Sequence, residues 1–127
     1  MENSKPLYEV REIRDFRDML NQSAEQFANE PAFRIRKSNG EYYDINYTEF
    51  HSQVWALGTA LISLGMKNKK KIAVMGVNSY RWVLTYFASQ IAGNVIVPID
   101  KELMFDDINT ILEVSETEMI FIDKKGL

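Results

Sequence analysis

One stretch constrains the fold more than any other: Lys71 to Asp100, which reads KIAVMGVNSYRWVLTYFASQIAGNVIVPID. Ile72, Ala73, Val74 and Met75 form a short apolar run that stops at Gly76. Such a run, bounded by turn residues, suits a strand buried on both faces. Asn78 and Ser79 each offer a side-chain oxygen to cap a helix. Trp82, Val83, Tyr86, Phe87 and Ile91 then recur at helical spacing and make a broad apolar face. Gly93 stands where a helix ends in a left-handed residue. Val95, Ile96, Val97 and Ile99 make a second β-branched run, with Pro98 expected to mark its end because proline cannot donate to a sheet ladder. Two strands joined by one helix make a parallel βαβ unit.

The flanks extend this unit into a layered α/β fold, with a mainly parallel sheet, flanking helices and an N-terminal β-hairpin. A helix is expected from Arg11, with Ile13, Phe16, Leu20, Ala24 and Phe27 on one face and Asn29, Glu30 and Pro31 ending it. Before it, residues 1–10 are read as polar and loose, with Leu7, Tyr8 and Val10 the ones that could lie against the core. Phe33 and Ile35 alternate with Arg34 and Arg36, Asn39-Gly40 signals a tight turn, and Tyr43, Ile45 and Tyr47 share a face of the returning strand. Thr48 is read as the cap of the next helix, whose face is Phe50, Val54, Leu57, Leu61 and Leu64, and which Gly65 closes. Met104 or Phe105 opens a further helix, with Ile108, Ile111 and Leu112 inward. Ile120, Phe121 and Ile122 read as a third parallel strand.

Composition narrows the function classes. A net charge of -3 does not suggest a nucleic-acid partner. The chain has no cysteine, which removes disulfides and thiol chemistry and fits a reducing compartment. No apolar run reaches membrane-span length, and the polar N-terminus is not a secretory signal, so the expectation is a cytoplasmic protein.

Side chains that could carry chemistry are few. His51 is the only histidine, read as lying on the solvated side of its helix, and without cysteine it cannot build the usual zinc site. Asp106 and Asp107 could pair as acid and base, but a helix N-terminus attracts carboxylates for electrostatic reasons alone. The run from Lys67 to Lys71 could attract phosphate, although such runs are ordinarily solvated turns. Gly76-Val77-Asn78-Ser79 lies at the carboxyl end of a parallel strand, where α/β sheets bind ligands. It lacks two of the three glycines of a dinucleotide fingerprint, and helix capping is its simpler role. Tyr80, Trp82, Tyr86 and Phe87 fit core packing better than a groove.

Three stretches together carry a resemblance. Tyr47-Thr48-Glu49-Phe50, continuing through Ala56-Leu57-Gly58 to Leu64-Gly65, is similar to the first core motif of the adenylate-forming enzymes. Ile72 to Gly76 with Asn78 and Trp82 resembles the strand, turn and helix that follow it. Ala92-Gly93 through Val97-Pro98-Ile99-Asp100 resembles the second core motif. The resemblance covers roughly Phe16 to Asp123 and is greatest to the long-chain fatty-acyl-CoA ligases. Where the family often has Gly-Asp before the first parallel strand, this chain has Lys69-Lys70.

The resemblance implies an N-terminal subdomain, residues 1–127, of an enzyme several times longer. That enzyme would join a fatty acid to CoA through an acyl-adenylate, using ATP, Mg2+ and CoA. The family's phosphate-binding loop, adenine-binding motif, ribose-binding aspartate, hinge and C-terminal catalytic lysine match nothing in this chain. No residue is therefore assigned a catalytic, cofactor-binding or metal-binding role, and the chain alone is expected to be inactive. Its partner is then the remainder of its own chain, and by itself it is expected to self-associate through exposed apolar surface. Other adenylating enzymes (peptide-synthetase domains, aryl acid ligases) and a self-standing small α/β binding module are the alternative readings.

Overall fold

The computed structural model describes residues 8–123. Its elements run α1 (Phe16–Gln26), β1 (Pro31–Arg36), β2 (Tyr42–Asn46), α2 (Tyr47–Ser63), β3 (Lys71–Met75), α3 (Tyr80–Ile91), β4 (Val95–Ile99), α4 (Phe105–Val114) and β5 (Met119–Ile122). β1 and β2 form an antiparallel hairpin, and β3 lies at the centre of a parallel sheet ordered β4-β3-β5. The layered α/β expectation and each of its strands are present.

Alternation along the strands divides the core in two. Ile72, Ile96, Met119 and Phe121 face a layer built from α1, α2 and α3, with Phe50, Val54, Leu61, Ala88 and Ile91 at its centre. Ala73, Met75, Val97, Ile99 and Ile120 face the opposite way, against Ile108, Ile111 and Leu112 of α4. The sheet thus carries helices on both faces.

α2 and α3 meet at Gly58. A Cβ there would sit 3.0 Å from both Cδ1 and Cγ1 of Ile91 and 3.3 Å from the Ala88 carbonyl oxygen. The bare glycine is what lets the two helices approach. Arg17 on α1 donates from Nε and Nη2 to the Ile91 carbonyl oxygen at 3.1 and 2.6 Å, a cation at the negative end of α3. Buried Asn94 donates to the Met66 carbonyl oxygen at 2.9 Å and so ties the two inter-element turns together.

Several boundaries differ from expectation. α1 begins at Phe16, because Asp15 caps it by accepting from the Asp18 N–H. Arg11 lies outside the helix and reaches Gln26 Oε1 and Ser23 Oγ instead, and Ile13 is exposed. Tyr8 and Val10 stand in solvent, not against the core, and Leu7 is outside the described residues. Tyr47 is not a strand residue: it opens α2 and packs on Phe27, ring centroids 5.6 Å apart. The cap of α2 is Asn46, not Thr48. Asn46 Oδ1 accepts from the Glu49 N–H at 2.8 Å while Glu49 Oε2 accepts from the Asn46 N–H at 3.0 Å, a reciprocal capping box. Thr48 donates its hydroxyl to the Ala28 carbonyl oxygen. Leu64 is 71% exposed rather than on the buried face. Pro98 does not end β4, where it pairs opposite Val74. β4 is an edge strand, and there the missing N–H can point away from the ladder.

Candidate functional site

The carboxyl ends of β3 and β4 open into a cleft of about 430 Å³ lined by Gly76, Val77, Asn78, Trp82, Pro98, Ile99, Asp100 and Lys101. The parallel register creates it. Met75 stands opposite Ile99, so the turns leaving the two strands emerge side by side. On the other flank Asp123 follows β5, and its N–H donates to the Met75 carbonyl oxygen at 3.1 Å. A Cβ at Gly76 would lie 2.8 Å from the Asp123 Cβ, so only glycine lets the chain turn this close to its neighbour.

Of the two cap candidates, Ser79 takes the role, accepting from the Trp82 N–H at 3.3 Å. Asn78 is left exposed in the cleft wall. The Trp82 indole stacks on Tyr86, centroids 5.5 Å apart and planes 16° apart, which fixes the wall's aromatic side. Asp100 accepts from the Glu102 N–H at 2.9 Å, and Lys101 pairs with Glu102. The cleft therefore offers an amide, an indole edge, one carboxylate and one paired ammonium. Among the described residues it gathers no nucleophile with an adjacent base.

The other sequence candidates lie apart from it. His51 is half-buried rather than solvated: Trp55 donates from Nε1 to His51 Nε2 at 2.8 Å, and the same nitrogen is 2.8 Å from Asn21 Oδ1 of α1. Asp106 and Asp107 sit exposed in the first turn of α4, where the helix dipole accounts for them. Lys70 and Lys71 are engaged by Glu118 and Glu116 at 2.6 and 2.8 Å, which ties the start of β3 to the turn before β5. Tyr80 lines a neighbouring hollow with Glu49, Gln53 and Arg81, and donates to Gln53 Oε1 at 2.9 Å. Burial, then the nearby Glu49 and Tyr43, push its phenol up to about 12. Among the described residues, no group of three or more His, Cys, Asp or Glu side chains is placed to hold a metal ion. No helix among them is long and apolar enough to cross a membrane.

The sequence family of AMP-binding enzymes matches residues 20–127, from α1 through the end of the chain. The chain belongs to the AMP-binding enzyme family. Among its relatives, long chain acyl-CoA synthetase 4 of Arabidopsis thaliana is 30% identical over 114 residues, covering 87% of this chain and 17% of the relative. The long-chain-fatty-acid–CoA ligase FadD15 of Mycobacterium bovis is 27% identical over 88 residues, 69% of this chain and 15% of the relative. The chain thus spans about a sixth of the length of such relatives.

Solved structures agree on the fold. CmiS6 superposes with a TM-score of 0.80 at 17% identity, over 97% of this chain and 32% of that one. The N-terminal domain of FACL13 from Mycobacterium tuberculosis superposes with a TM-score of 0.77 at 20% identity, over 87% of this chain and 27% of that one. The parallel sheet, hairpin and helices of this chain are those of the N-terminal subdomains of adenylating enzymes.

Proposed function

We propose that residues 1–127 are the N-terminal α/β subdomain of an ATP-dependent fatty-acid–CoA ligase. The match to AMP-binding enzymes across residues 20–127, with acyl-CoA synthetases among the relatives, is the observation that carries this reading. The enzyme works in the cytoplasm. A fatty-acid carboxylate attacks the α-phosphate of ATP, giving acyl-adenylate and pyrophosphate, and the CoA thiol then displaces AMP. Magnesium, when bound, neutralises phosphate charge. The residues of this chain do not form a metal site among those described, so none is given a share in holding it.

The role of this chain is to build and orient. β3 and β4 deliver the Gly76–Asn78 and Pro98–Lys101 turns to one edge, and the remainder of the enzyme packs against that sheet. Adenylation depends on positioning and on charge stabilisation at the transferred phosphoryl group. The cleft supplies a binding wall without the assembled groups for either.

Fatty-acid-dependent exchange of labelled pyrophosphate into ATP tests the reading. The protein translated from the gene continued past codon 127 is expected to exchange and to release AMP with CoA, whereas the 127-residue chain gives background. Exchange by the short chain alone would refute its assignment as scaffold. Exchange by the longer protein with amino or aryl acids, and none with fatty acids, would move it to another branch of the adenylating enzymes.

A further inference from the structure

The solvent side of α2 is unusual for a chain with 26% charged residues. Trp55, Ala56, Thr59, Ala60, Ile62, Ser63 and Leu64 are all exposed, and none is charged. Its two hydroxyls spend their protons on the helix backbone: Thr59 donates to the Trp55 carbonyl oxygen at 2.9 Å and Ser63 to the Thr59 carbonyl oxygen at 3.0 Å. What faces outward is one continuous, weakly hydrated strip with an indole at one end and Ile62 and Leu64 at the other. An exposed apolar patch of this kind marks a contact surface.

Charge appears only at the ends of the strip, and with opposite sign. Glu49 lies in the first turn at heptad spacing from Ala56 and Ser63, at the border between this face and the Tyr80 hollow, with one carboxylate oxygen held by the Asn46 N–H. Lys67 and Lys69 follow the last turn, and among the described residues no ion pair engages either. Between Glu49 and Asp100 the sequence holds no acidic residue. We propose that this face of α2 binds the same face of a second copy of this chain, the two helices running antiparallel about a two-fold axis near Thr59 and Ala60. That arrangement places Glu49 of one copy toward Lys67 and Lys69 of the other at both ends, and it opposes the helix dipoles favourably. A parallel arrangement would set lysine against lysine. The proposal concerns a face of α2 that does not line the cleft.

Sedimentation velocity of the full 127-residue chain, from micromolar to near-millimolar concentration, reads the association directly. A monomer–dimer equilibrium is expected. Ala60→Glu should weaken it about tenfold or more, because a carboxylate is then desolvated at the centre of the contact. That position is exposed and glutamate is a good helix former, so the fold is retained, which circular dichroism checks. Lys67→Ala with Lys69→Ala should weaken the dimer severalfold at low salt and not at high salt. Val114→Glu, on the exposed side of α4, should leave it unchanged. A monomer at every concentration overturns the proposal. So does an association that survives Ala60→Glu, or one abolished only by Val114→Glu. A monomer that instead floats with phosphatidylglycerol vesicles, and loses this on Ala60→Glu, overturns it in favour of a lipid surface.

Discussion

The α2–α3 crossing makes a quantitative prediction. In Gly58→Ala the new methyl carbon arrives 3.0 Å from Ile91 Cδ1 and Cγ1 and 3.3 Å from the Ala88 carbonyl oxygen. Alanine inside a helix gains about 1 kcal/mol over glycine. Overpacking a tight contact costs about 1–3 kcal/mol. Here the backbone carbonyl cannot step aside, and Ile91 is only 3% exposed, so the contact outweighs propensity. The expected net is about 1 kcal/mol of destabilisation, a fall in Tm of roughly 3–5 °C for a chain of this size. Ile91→Ala alone should cost about 2–5 kcal/mol through the cavity it leaves. In the double variant the Gly58→Ala methyl enters that cavity and the propensity gain is no longer opposed. The two changes should therefore fall short of additivity by about 1–2 kcal/mol. Urea unfolding followed by circular dichroism, with m-values compared across the four proteins, measures the cycle. Additivity within about 0.5 kcal/mol, or a stabilising Gly58→Ala, would show that the helices do not meet as described.

The capping box gives a second test: Asn46→Ala should cost about 1 kcal/mol in urea unfolding, and Thr48→Ala less, reversing the order that Thr48 as cap would give. The Arg14 guanidinium, the Arg14 backbone N–H and Gln22 hold the Asp18 carboxyl far below its ordinary value of 3.8. Asp18 therefore contributes stability above that value and loses it as pH falls further. Thermal melts should show Asp18→Asn less stable than the parent at neutral pH, with the gap closing in acid. For Tyr80 the sign is opposite, because its folded value is raised from 10.0 to about 12. Its contribution is complete below 10.0 and is lost as pH climbs toward 12, so absorbance titration should show a late tyrosinate step that Tyr80→Phe removes.

What could be read in the chain were features whose cause is local. The apolar run that stops at Gly76 and the β-branched run after Gly93 marked two of the parallel strands, and Asn39-Gly40 marked the hairpin, where Gly40 adopts φ +89°. Periodicity misled where cap chemistry decides the boundary. Ile13 fits the spacing of α1, but Asp15 starts the helix after it. Tyr47 continues the alternation of β2, yet the Asn46–Glu49 pair converts the chain to helix at that point. That pair, a cap residue followed three positions later by glutamate, was a visible signal. The cleft was half legible. The Gly76–Ser79 wall follows from the end of one strand, whereas Pro98, Asp100 and Lys101 join it only through the register of β3 with β4, which no local pattern encodes.

The placement of β3 between its two later neighbours bears on how the chain reaches this state. The hairpin closes between Arg36 and Tyr42, six positions apart, and needs only a short loop. Ile72 must wait for Ile96, and then for Met119, nearly twice as far along. Closing such loops is entropically slow, so hairpin and helices should form first and the sheet last. During synthesis the central strand would leave the ribosome with neither edge satisfied. Until Met119–Ile122 emerges, its most apolar segment is the one a chaperone would meet.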